Sequence, residues 1–197
     1  IIFFFCEFSE LPLKERILSA LFQSVTPRTA GFNTVDLTTI SEAGLMIMMV
    51  LMLIGGSPGS TAGGMKTTTV AVLFSTSLAV FQQKDSAHFF KRRIPEEAVR
   101  NAGTVMVMYV VLFLTGGVLI SYMEQIPIVT ALFETASAIG TVGLSLGATP
   151  GLGTASRLIL IGLMFFGRVG GLTLIYATLS KQHTCAMKYP QEKITVG

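Results

Sequence analysis

The sequence predicts an all-α membrane protein built from repeated units of helix, re-entrant loop and helix, with one spanning helix broken by an intramembrane loop. Three observations carry that prediction. The 197-residue chain is 51% hydrophobic and only 13% charged, against about 25% charged in an ordinary soluble domain, and its mean hydropathy is +0.67. An uncharged stretch, Ala102–Met123, matches the roughly 20 apolar residues that cross a hydrocarbon core. Two segments, ALFQSVTPRTAGFNTVDL (Ala20–Leu37) and ALFETASAIGTVGLSLGA (Ala131–Ala148), open alike and each reach a Thr-x-Gly.

The elements follow in order. IIFFFCEF at the start reads as the end of a spanning helix, so the chain is expected to be part of a longer one. The first Ala-Leu-Phe segment leads to Thr29-Ala30-Gly31-Phe32. A third candidate span, Ala43–Phe81, holds Lys66 as its single charge. As one straight helix it would be on the order of 58 Å long, about twice the ~30 Å core, so it must break or project. Its midpoint reads GGSPGSTAGGMKTTT (Gly55–Thr69), where a break belongs. Residues 83–101 form a linker rich in lysine and arginine: Lys84, Lys91, Arg92, Arg93 and Arg100. Beyond Ala102–Met123, a short helix from Pro127 to about Gly140 is roughly 20 Å long, which suits a re-entrant segment. Thr141-Val142-Gly143-Leu144 follows it, then a span from Leu158 to Ser180 interrupted near its middle by Arg168. The tail, residues 182–197, holds Lys188 and Lys193 just beyond Lys181, and the positive-inside rule puts linker and tail in the cytoplasm.

The two segments are an internal repeat. Phe22 matches Phe133 and Gly31 matches Gly143, 111 and 112 residues apart, and Gly55-Gly56 matches Gly167-Arg168. The units are residues 1–82 and 102–181. Aligning Gly63-Gly64 with Gly170-Gly171 leaves the first unit about five residues longer, around Ser57–Thr61. Proline and clustered glycine break helices, so this insertion admits a polar loop where the other unit runs on.

Non-helical backbone at membrane depth persists only where it is buried in protein or lines an aqueous cavity. A Thr-x-Gly turn after a re-entrant helix turns successive carbonyls to one side. Such oxygens replace the hydration shell of a potassium ion, and the carboxyl end of the preceding helix adds partial negative charge. The candidate filter residues are Thr29, Ala30, Gly31 and Phe32 with Thr141, Val142, Gly143 and Leu144.

TPRTAGFNTVDL, GGSPGSTAGGMKTTT, SAIGTVGLSLG and FFGRVGG, in that order along the chain, resemble the carboxyl-terminal half of the Ktr/Trk/HKT superfamily of potassium transporters, most of all its KtrB-like pore subunits. The resemblance implies a potassium-channel-like pore of four such repeats, of which this chain supplies most of the third and all of the fourth. It implies potassium uptake across the plasma (inner) membrane. It also implies a gate made by the broken helix: Gly55, Gly56, Ser57, Pro58, Gly59, Ser60, Thr61, Ala62, Gly63, Gly64 and Lys66, with Arg168 beside them. It further implies a homodimer, a cytosolic nucleotide-binding regulatory subunit of the KtrA/TrkA kind, and sodium as a coupling or activating ion. The missing amino-terminal half of the same chain and membrane lipid complete the expected partners.

Other readings stand beside these. Broken helices and internal repeats also occur in secondary transporters of other small cations or solutes. A phosphate-binding G-x-x-x-x-G-K-[ST] loop is not matched, because Met65 separates Gly64 from Lys66. The gate segment could be a passive kink, and Arg168 a tie between helices, since a charge in a span is functional by default yet needs a partner. Lys66 holds the loop or reaches toward the cytoplasm. Glu134 adds negative potential near the turns or is a hydrogen-bonded structural carboxylate. Cys6 and Cys185 read as unpaired thiols and His88 and His183 as solvated. No enzyme, cofactor or nucleic-acid signature is present, and the net charge is +3.

Overall fold

In the computed structural model, which describes residues 3, 7–8, 11–84, 88–89 and 92–170, six α-helices carry nearly all of the architecture. They are α1 (Leu13–Val25), α2 (Glu42–Leu53), α3 (Thr67–Phe81), α4 (Glu96–Glu124), α5 (Ile128–Ile139) and α6 (Thr154–Val169). A two-residue hairpin, β1 (His88–Phe89) with β2 (Arg92–Arg93), lies in the linker. Cys6, Cys185, His183, Lys91 and the lysines of the tail lie outside the described residues, while His88 is exposed.

The caps explain where the helices start. Ser41 accepts the Gly44 amide at 3.1 Å and opens α2, while Ser41 itself donates to Glu7 through both its amide and its hydroxyl. Side-chain acceptors at this position satisfy amides that the helix leaves unpaired. Pro12, Pro95 and Pro127 precede α1, α4 and α5. Glu124, at the end of α4, accepts the Gly153 amide at 2.9 Å and the Ser156 hydroxyl at 2.6 Å, so the foot of α4 caps the head of α6.

α4 is longer than the uncharged stretch predicts, since Pro95 and the carboxylates Glu96 and Glu97 start it ahead of Ala102. At about 43 Å for its 29 residues it exceeds a hydrocarbon core, and among the described helices it is the one long and apolar enough to cross alone. The Ala43–Phe81 segment is split into α2 and α3. α6 covers the first part of the expected Leu158–Ser180 span. It begins at Thr154 and closes at Val169, with Gly170 at φ +82°, a conformation that stops a helix. Arg168 therefore sits in the last turn of α6, at the negative end of its dipole, and the remainder of the expected span, residues 171–180, lies outside the described residues.

α5 is the hub. Ala131 and every residue from Phe133 to Gly140 are buried, and α2, α4 and α6 all pack on it. Close approach depends on glycine, as in other helix pairs of apolar sequence. A Cβ at Gly117 would lie 2.4 Å from Leu132, and one at Gly167 would lie 1.9 Å from the carbonyl oxygen of Ile139. The middle of α4 exposes an apolar face: Met106, Val107, Val111, Leu114, Val118 and Leu119.

Candidate functional site

Both Thr-x-Gly turns adopt the same unusual backbone. Thr29 has φ +68° and Gly31 +73°; Thr141 has φ +53° and Gly143 +91°. For a β-branched threonine that region is a true outlier, costing roughly 1–2 kcal/mol at each turn. The turn amides are tied back to the preceding helix. Ala30 and Gly31 donate to the Thr26 carbonyl at 3.1 and 3.2 Å; Val142 donates to the Ser137 carbonyl at 2.9 Å and Gly143 to the Ser137 hydroxyl at 3.2 Å.

The turns meet. A Cβ on Gly31 would stand 2.0 Å from the Val142 carbonyl oxygen and 3.8 Å from the Gly143 Cα, so only glycine permits this backbone-to-backbone contact. The Thr29 hydroxyl donates to the Gly140 carbonyl at 3.4 Å. Gly143 is exposed, with space around its Cα, and lines a cavity of about 910 Å³ together with Thr141, Val142, Leu144, Phe165 and Arg168. Phe32 is 71% exposed, and its carbonyl accepts the Thr26 hydroxyl at 2.5 Å. Just downstream, Asp36 has its pKa lowered, first by the Thr38 hydroxyl and then by the Thr38 amide, both of which donate to it.

The segment between α2 and α3 lies against the second turn. Its neck is closed by main-chain pairing of Ile54 with Met65: the Gly55 amide donates to Met65 O at 2.8 Å, the Met65 amide to Leu53 O at 2.9 Å, and the Thr67 amide to Gly56 O at 3.1 Å. Gly63 is buried against Thr141, where a Cβ would fall 2.2 Å from the threonine hydroxyl oxygen. That hydroxyl is buried and has no partner, an open valence beside the backbone of the loop. The tip, Ser57–Thr61, is exposed.

Two cations hold the tip. Lys66 Nζ donates to the carbonyls of Ala62 at 2.7 Å and Ser60 at 3.1 Å. Arg168 Nη1 donates to the Thr61 carbonyl at 2.6 Å. The structure thus brings Gly55–Gly64, Lys66, Arg168 and both turns into one neighbourhood. Sequence reasoning missed the contact of Gly63 with Thr141 and the partners of Glu134. Glu134 accepts from Ser145, Leu146 and Thr149, all within 15 residues of it in the chain. Among the described residues no three His, Cys, Asp or Glu side chains gather as metal ligands.

Known proteins are similar to this chain over most of its length. The family described as TrkH, a cation transport protein, matches residues 6–188. The potassium/sodium uptake protein NtpJ of Enterococcus hirae is 42% identical over 189 residues, covering 93% of this chain and 42% of that protein. The Ktr system potassium uptake protein B of Bacillus subtilis is 36% identical, covering 95% of this chain and 42% of that protein. The crystal structure of the potassium transporter TrkH from Vibrio parahaemolyticus matches with a TM-score of 0.77 at 21% identity, covering 90% of this chain and 40% of that one; at such identity the likeness speaks for the fold. The chain spans about two-fifths of the length of the curated relatives it matches.

Proposed function

The chain belongs to the TrkH family of cation transport proteins, and on that footing we propose that it supplies part of a potassium uptake pathway across the plasma membrane. Main-chain oxygens of residues 29–32 and 141–144 replace the water of the ion. The segment Gly55–Lys66, held by Arg168, is the gate beneath them. The observation that carries the reading is the meeting of the two left-handed turns, glycine against carbonyl, with Gly63 packed on Thr141. A packing arrangement alone has no use for two strained threonines. A filter does, because strain of this kind persists where surrounding structure holds a functional geometry.

The mechanism follows from three local properties. α5 ends at the turn, so its partial negative charge favours a cation there. Ordered carbonyls offer an ion oxygen ligands without reorganising, at a spacing set by the turn backbone. A loop tip held by one arginine bond and two lysine bonds opens at the cost of few contacts. The potassium/sodium uptake protein among the relatives supports retaining sodium as a second, coupling or activating ion. The exposed apolar face of α4 supports lipid as its surroundings.

The test is competing rubidium and sodium uptake into liposomes holding the full-length chain that carries these residues. We expect rubidium preference, and faster flux when residues 57–61 are deleted. Equal uptake of both ions would overturn the filter; deletion without faster flux would overturn the gate.

A further inference from the structure

Glu134 is 4% exposed, on the buried helix that ends at the second turn, and all the partners it is seen to hold come from the segment just after that turn. Its Oε1 accepts the Ser145 hydroxyl at 2.6 Å and the Leu146 amide at 3.0 Å, and its Oε2 accepts the Thr149 hydroxyl at 2.6 Å. The Ser145 hydroxyl in turn accepts the Gly147 amide at 2.9 Å. One helical turn further on, Ser137 takes the Gly143 amide with its hydroxyl. Two side chains on one face of α5 therefore grip residues 143–149 along their length. The segment they grip is otherwise poor in regular structure: no helix or strand forms between Gly140 and Thr149.

We propose that Glu134 is a positioning residue for ion selection: its carboxyl group fixes the backbone that follows Gly143, and so sets the spacing of the turn carbonyls. The inference rests on the filter reading above. A bare turn of this kind has left-handed residues at Thr141, Gly143 and Gly147 and would relax if released. Buried hydrogen bonds to a carboxyl group are stronger than neutral ones and costly to lose singly. With both oxygens engaged by its own loop and little surface exposed, Glu134 acts through Ser145, Leu146 and Thr149 rather than as a ligand of the ion.

Bracing and charge predict different results for two substitutions. Glu134→Gln removes charge but keeps the brace, because the amide oxygen accepts from Ser145 and Leu146 while its NH₂ donates to a rotated Thr149 hydroxyl. Glu134→Ala removes both. In the full-length chain in liposomes, rubidium over sodium preference should fall roughly tenfold for Glu134→Ala, the equivalent of one lost charge-assisted bond, and stay near the parent for Glu134→Gln. Amide hydrogen exchange of residues 145–149 should quicken in Glu134→Ala alone. Glutamine as damaging as alanine would assign the effect to charge and overturn the proposal, as would an alanine variant with the parent's preference. Should Glu134→Ala fail to accumulate, Thr149→Val decides: reduced preference supports bracing and unchanged preference overturns it. A parent without any rubidium preference overturns the filter reading itself, before a variant is made.

Discussion

At the scale of single residues, the two threonines at positive φ say most about the site. Thr29 and Thr141 occupy a region that Gly adopts freely, yet neither position is glycine. The hydroxyl and methyl must serve a purpose worth the strain, and the unpartnered Thr141 hydroxyl against Gly63 marks where. Thr141→Gly should therefore leave stability within about 1 kcal/mol of the parent, relief of strain offsetting the added entropy of the unfolded chain. The same change should lower rubidium preference. Thermal unfolding in detergent and competing-ion uptake measure the two separately, and a joint loss of both would contradict the argument. Spacing alone made the Thr-x-Gly pairs legible, because glycine two residues after threonine repeats at almost constant offset. Positive φ at the threonines was not legible, since β-branched residues seldom take it and only tertiary contact imposes it.

At the scale of elements, the break in the Ala43–Phe81 segment was readable because a length argument forbids one straight helix and Pro58 with clustered glycines marks the place. The end of α6 at Val169 was not. Hydropathy runs on through Gly170, and the end of the helix there depends on a backbone angle instead. Arg168 is thereby placed at a helix end, where it reaches Thr61 O. Arg168→Ala removes one of the bonds on the tip and Lys66→Met removes two. Each should raise flux, by roughly tenfold at most if opening is limited by those bonds. A double variant more than additive would show the cations acting as one clasp; unchanged initial rates in both would assign them to packing alone. Gly167→Ala tests the α5–α6 contact: a methyl 1.9 Å from the Ile139 carbonyl forces the helices apart and should cost roughly 1–3 kcal/mol, read as a lowered unfolding temperature.

At the scale of the whole molecule, composition and hydropathy gave the class of fold, and the internal repeat gave its plan. What they could not give is the convergence on α5 and the turn that follows it, where glycines scattered along the chain make close contacts: residues 117 and 167 on the helix, 31 and 63 on the turn. Sequence distance hides such contacts, and each becomes visible only when backbones touch. The described surface leaves one side of the second turn facing the cavity beside Phe165 and Met164, and the chain spans two-fifths of its relatives' length. Expressed by itself, the 197-residue chain should give no rubidium uptake in liposomes where the full-length chain does. Uptake by the isolated chain would mean that two turns suffice.

The pinned neck of the Gly55–Lys66 segment has a consequence for the surrounding bilayer. Main-chain pairing between Leu53–Gly56 and Met65–Thr67 anchors α2 and α3 to each other irrespective of where residues 57–61 lie. A swing of the tip as proposed above would leave that pairing, and with it the placement of α2 against α3, unchanged. If that movement is the gate, lateral tension and acyl-chain length gain no lever on it through α2 and α3, and rubidium uptake should change little with either.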